Sequence, residues 1–206
     1  MPKLTVNGAE LHYEDEGSGP PVVFVHGVWM SGRFFEKQLP YVRQFGTERL
    51  RGGGVVDQSP SDYKWPDWPH GFLDFDGLCH VMTAVQTDRE ALVRDFIPRL
   101  FKEPPSEADT AWMVEEIMRP PCSVASAIIF DQTVQDYRPV LPTVTCPALV
   151  VTRADEKLVP VAAEEYVAAQ MPDARLVVFA ESGHCPFLEE PDRFNEVVDD
   201  WIRSLA

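Results

Sequence analysis

Apolar and polar residues alternate across residues 4–13 on both sides of Asn7-Gly8, the dipeptide that most strongly signals a two-residue hairpin turn. The pattern predicts two antiparallel strands at the start of the chain. Residues 22–26, "VVFVH", form instead a short continuous apolar run, the signature of a central strand buried on both faces. Residues 54–57, 148–152 ("ALVVT") and 176–180 ("LVVFA") repeat that character, and helical patterns separate them. The reading is α/β, with a mostly parallel sheet. Residues 161–171 and 191–205 are the clearest helices. The second starts at Pro191 and places Phe194, Val197, Val198, Trp201, Ile202 and Leu205 on one stripe.

Between Ser59 and Pro142 the pattern changes to short helical pieces rich in Trp, Phe, Met and Pro, among them "YKWPDWPHGF", "REALVRDFIPRLF" and "TAWMVEEIM". This predicts a helical cap over residues 59–141, inserted in a core made of residues 1–58 and 142–206. Aromatic residues of such a cap either line an apolar pocket or hold the cap to the body, and for any single residue the second role is the commoner.

At 206 residues the chain suits one sizeable core, and 45% hydrophobic content is that of a globular protein. The formal net charge is −15, from 33 acidic residues against 18 basic, which repels phosphate backbones and anionic lipid heads. Nucleic acid and membrane surfaces are therefore not expected partners. No apolar run is long enough to span a bilayer, and the first residues lack the pattern of a signal peptide, so a cytoplasmic location is expected. Cys79, Cys122, Cys146 and Cys185 are scattered without metal-ligand spacing, and no metal or cofactor is implied.

Ligands of parallel α/β sheets sit at the carboxyl ends of the strands, so the residues that follow each strand come first. His26-Gly27-Val28-Trp29 follows the first predicted central strand, and Gly27 permits a tight turn that exposes backbone N–H groups, as an oxyanion hole requires. Asp155 follows the run at 148–152, and His184 follows the run at 176–180.

Together "VVFVHGVWMSG", "LVVTRADEKLVP" and "SGHCPFLEEPDRF" resemble the α/β-hydrolase superfamily, in particular its small capped esterase, lactonase and perhydrolase-like members. The resemblance implies that Asp155 orients His184, that His184 acts as general base and then general acid, and that Val28 offers its backbone N–H to the oxyanion, with His26, Gly27 and Trp29 shaping the turn. It also implies a nucleophile on a G-x-S-x-G turn between the His-Gly strand and the acid. No serine or cysteine of the chain stands in that frame. By the same resemblance two strand–helix units are missing after the predicted crossover helix "GRFFEKQLPYV", about 60 residues at roughly 30 per unit. A pared-down sheet is expected, in which the strand at Val55 lies beside the one at Val23 and the exposed edge favours self-association. Ser59, at the carboxyl end of the strand before it, and Cys79, with a glycine two residues earlier, are the candidates to substitute as nucleophile. Arg153 stands where the family usually has a small residue, and its guanidinium is placed to compete with His184 for the acid.

The sequence thus supports a hydrolase of small, largely apolar carboxylic esters or lactones built on an Asp155–His184 dyad. Three alternatives stay open: a hydrolase-like ligand-binding or scaffold protein, proton abstraction by the dyad without a serine, and an internally deleted esterase.

Overall fold

The computed structural model describes residues 3–6, 8–13, 22–25, 27–30, 34, 51–154 and 157–205. Strands β1 (Lys3–Val6) and β2 (Ala9–His12) form the antiparallel hairpin, with Gly8 at φ 80° in the turn, where a residue without a Cβ carries no steric penalty.

The second sheet holds β3 (Gly53–Val56), β4 (Ala148–Arg153) and β5 (Ala174–Phe179), parallel and in that spatial order. β4 lies in the middle and is buried at every position, as its uninterrupted apolar run requires. Leu149 and Val151 face a cluster that contains Phe179, Phe194 and Trp201, while Ala148 and Val150 face a second cluster with Val167 and Met171.

The expected strand at residues 22–26 is corrected by the structure. Residues 22–25 form no strand, Val23 and Val25 are 79% and 81% exposed, and His26 lies outside the described residues. Phe24 is half-buried between the two exposed valines, so this run meets protein on one side only, whereas a central parallel strand needs cover on both faces. Here the two layers of cover gather over β4. Val55 pairs with Val150 of β4, and among the described residues β3 is an edge strand with no pairing to Val23.

Four helices lie between β3 and β4 in the chain: α1 (Phe75–Thr87), α2 (Arg89–Phe96), α3 (Glu107–Met118) and α4 (Cys122–Val134). The side chains of Asp74, Asp88 and Ser106 accept the N–H groups of Gly77, Ala91 and Asp109 and so fix where the first three begin. Among the described residues the remaining α-helices are α5 (Val161–Gln170), which crosses from β4 to β5, α6 (Pro186–Glu189) and α7 (Pro191–Ser204). The stripe on α7 packs on the core as its spacing predicts, and Trp201 sits so tightly over Gly52 that a Cβ there would lie 2.7 Å from its ring.

"YKWPDWPHGF" is not helical, a second correction. It forms a loop closed by the bridges Tyr63–Leu73 and Trp65–Trp68. Pro66 and Pro69 remove two backbone donors within seven residues, which defeats a helix. The indoles of Trp65 and Trp68 donate to the Ser61 hydroxyl at 2.9 Å and the Ser61 carbonyl at 3.0 Å, so both tryptophans brace this loop. No helix among the described residues is long and apolar enough to cross a membrane.

Candidate active site

The carboxyl ends of β3, β4 and β5 bring Asp57, Arg153 and His184 together. Asp57 directly follows β3, its N–H donates to the Val151 carbonyl at 2.8 Å, and its φ of 49° turns the chain sharply away from the sheet. The other non-glycine residue at positive φ among the described residues is Trp29, at 61°. Such conformations cost of order 1–3 kcal/mol each and gather at functional sites.

The Asp57 carboxylate is 1% exposed and divides its two oxygens between two partners. Oδ2 lies in close contact with Nδ1 of His184, and Oδ1 with Nη1 of Arg153. Arg153 is equally buried, donates from Nη2 to the Val159 carbonyl at 2.7 Å, and stands 3.6 Å from Oε1 of Glu164 on α5. The other Glu164 oxygen takes the hydroxyl of Thr152. A buried chain of groups therefore runs Thr152, Glu164, Arg153, Asp57, His184, with one cation between two carboxylates.

Because Nδ1 faces a carboxylate, the neutral ring carries its proton there, and Nε2 is left as an acceptor. The His184 side chain retains 25% exposure, so solvent or a ligand reaches the ring. Burial, and next the Arg153 guanidinium, push the imidazole down to about 4. Asp57 does not reverse this, because Arg153 already answers its charge. At neutral pH His184 is an unprotonated base.

Burial pushes Glu164 in the opposite direction, up to about 7. Between pH 4 and 6.5 the unfolded chain binds a proton on His184 that the folded chain lacks, so this residue makes stability rise with pH. Between pH 4.5 and 7 the folded chain holds a proton on Glu164 that the unfolded chain has lost, so that residue makes stability fall. Each effect is worth about 3 kcal/mol over its window, and they oppose one another where the windows overlap. In Glu164→Gln the falling limb is removed: urea melts at stepped pH are expected to show stability climbing by about 3 kcal/mol from pH 4 to 6.5, against a much flatter wild type.

Asp155, the acid implied by the family resemblance, lies outside the described residues, as does His26. Gly27, Val28 and Trp29 are described. Met30 donates its N–H to the Gly27 carbonyl at 3.2 Å, Val28 packs at the edge of the core, and the Trp29 indole donates to the Ala125 carbonyl at 3.0 Å, which ties this turn to α4. Ser59 is buried, and its hydroxyl is taken up in a local turn, donating to the Ser61 carbonyl at 2.7 Å. Cys79 is an exposed residue on α1. Next to His184, the Ser182 hydroxyl is bound to Glu190, and burial pushes the Cys185 thiol up, which makes it a poor nucleophile. Asp57 is not among the sequence-based candidates, although it carries the same local signal as Asp155, a carboxylate just after an apolar strand.

A family model described as the alpha/beta hydrolase family matches residues 59–197, two thirds of the chain. The chain belongs to that family. Among curated proteins it is similar to two proteins named pimeloyl-(acyl-carrier protein) methyl ester esterase. The one from Nitrosomonas europaea is 27% identical over 157 residues, covering 74% of this chain and 62% of the relative. The one from Xanthomonas oryzae is 33% identical over 170 residues, covering 76% and 63%. The chain thus spans less than two thirds of the length of these relatives. Among solved structures it resembles a bromoperoxidase from Bacillus anthracis (TM-score 0.88, 19% identity, 98% of this chain and 99% of the other). An enol-lactonase from Burkholderia xenovorans is also similar (TM-score 0.82, 15% identity, 98% and 100%). At such identities these two likenesses speak for the α/β-hydrolase fold, here with a small parallel sheet.

Proposed function

We propose that the chain hydrolyses small carboxylic esters or lactones by general-base attack of water, with His184 as the base and Asp57 as the anion that orients it. The observation that carries this reading is the Asp57–His184 contact at the carboxyl end of the sheet, which leaves Nε2 free and unprotonated. In this mechanism Nε2 takes a proton from a water molecule as the water oxygen bonds to the carbonyl carbon. The Val28 N–H meets the developing oxyanion, and the proton passes to the leaving oxygen as the carbon–oxygen bond breaks. A cleft of about 360 Å³ flanks the loop that carries His184, with walls that mix Phe101, Trp112 and Leu188 with the charged Lys102, Asp109 and Glu189; it has room for a small ester, and His184 itself does not line it. The esterase and lactonase names among the relatives point the same way.

General-base catalysis contributes about 10²–10⁴-fold, whereas the loss of a serine nucleophile costs on the order of 10⁶. Slow turnover of an activated ester is expected. With p-nitrophenyl acetate, the His184-dependent rate rises through pH 4 and stays flat from about pH 5 to 8, and a fluorophosphonate probe leaves the intact mass unchanged. A probe adduct lost in His184→Ala contradicts the water mechanism and assigns a covalent one. A second reading, a ligand-binding protein without turnover, is favoured by the engagement of the Ser59 and Ser182 hydroxyls elsewhere. Absence of any His184-dependent rate selects it.

A further inference from the structure

We infer that Glu189 is a positioning residue that holds His184 against Asp57 by tying the loop that carries His184 to the helical segment between β3 and β4. The inference rests on the reading of His184 given above. Glu189 ends α6 and sends its two carboxylate oxygens to two different parts of the chain. Oε2 accepts the N–H of Gly183, the residue directly before His184, at 2.7 Å, and Oε1 accepts the N–H of Lys102 at 2.7 Å. Both are charge-assisted bonds to backbone groups, the kind that fixes a chain position and not merely a side chain.

Further contacts close the same joint. Lys157, in the loop after β4, donates its ammonium to the carbonyls of Phe101 at 2.9 Å and Lys102 at 2.7 Å. The Lys102 ammonium reaches Glu181 at 2.7 Å and the Ala180 carbonyl at 3.1 Å, both just past β5. Gly183 lies so close to Phe101-Lys102 that a Cβ on it would stand 2.6 Å from the Lys102 nitrogen. The backbone before His184 is therefore pressed directly on the helical segment, with Glu189 bonded to both sides. Burial pushes the Glu189 carboxyl up, while the backbone N–H groups of Lys102, Gly183 and Cys185 and the Lys157 ammonium favour its ionised form; His184 and the Cys185 thiol sense its charge, and the Lys102 ammonium is paired with Glu181 close by.

The cleft of about 360 Å³ is bordered by Phe101, Lys102, Leu188 and Glu189, so whatever fills it touches the joint. Seating of a ligand and orientation of the His184 ring are then mechanically connected. Glutamine at position 189 keeps one carbonyl oxygen but replaces the other with an amide that cannot accept an N–H, so one side of the joint is released with little change of volume.

The test reads His184 without depending on turnover, so its failure is separate from failure of the hydrolase reading. In Glu189→Gln, the low-field proton signal of His184 Nδ1 is expected to broaden or vanish, and the Gly183 and Lys102 amides to exchange at least tenfold faster, with the Val150 and Val151 amides unchanged. Glu90→Gln, at an exposed carboxylate of α2 paired with Arg94 and outside the joint, leaves all of these as in wild type. An unchanged Nδ1 signal and unchanged Gly183 exchange in Glu189→Gln overturn the inference. Should that variant not fold, the wild type decides: on acidification the Gly183 and Lys102 amide shifts must move with one shared midpoint as the carboxyl of Glu189 takes its proton, and independent midpoints overturn the proposal.

Discussion

Replacing Asp57 with asparagine is expected to cost about 3–5 kcal/mol of folding stability and to abolish His184-dependent ester hydrolysis. The size of the stability loss follows from what remains. Arg153 is 1% exposed, and among the described residues the carboxylate left beside it without Asp57 is that of Glu164, at 3.6 Å. A buried cation that loses its closest anion keeps its desolvation penalty and forfeits most of the attraction that offset it. Asparagine is the informative replacement because it tolerates the φ of 49° at this position, so a loss cannot be traced to backbone strain. The activity loss follows from the ring. A neutral amide still meets Nδ1, but it no longer stabilises the imidazolium that forms when Nε2 takes a proton from water. Denaturant melts and p-nitrophenyl acetate turnover of the same preparation measure the two effects together.

The second large effect is expected from Arg153→Met, and it has the opposite sign at the histidine. Methionine fills much of the same volume without charge, and Asp57 then faces His184 alone. The Arg153 guanidinium is the largest cause after burial that holds the imidazole down. Its removal should raise the His184 midpoint from about 4 by roughly 1–3 units, the range produced by one nearby charge. The cost appears in stability, about 3–5 kcal/mol at pH 8, since Asp57 and Glu164 lose their shared cation. It should shrink toward pH 5, where Glu164 carries a proton. Histidine-selective NMR across pH 3 to 8 checks the first part, and urea melts at the two pH values check the second.

These effects centre on a pair that local sequence patterns do not reveal. β4, β5, α5 and α7 are legible because each carries a continuous apolar run or a helical stripe, and burial of such patterns needs no knowledge of distant partners. The hairpin is legible from Asn7-Gly8 for the same local reason. The meeting of Asp57 with His184 depends instead on which strand lies beside β4, a contact between residues 127 positions apart. "VVDQ" supplies a carboxylate beyond a strand just as "TRAD" does, and it is the sheet order, not that local pattern, that brings Asp57 to His184. Residues 22–25 show the limit from the other side. Their composition resembles that of β4, but burial on both faces is a property of the layers above and below, which four apolar residues do not specify. The loop with Trp65 and Trp68 adds a third case, where helical spacing of aromatics is overruled by two prolines.

The most direct test of the account is the titration of the His184 ring by NMR in wild type and in Asp57→Asn. Wild type is expected to show a low-field Nδ1 proton and a midpoint near 4, and the variant to lose that proton signal. A midpoint near 6.5 with a ring spectrum indifferent to Asp57 would contradict it, because His184 would then be an ordinary solvated histidine without its carboxylate partner.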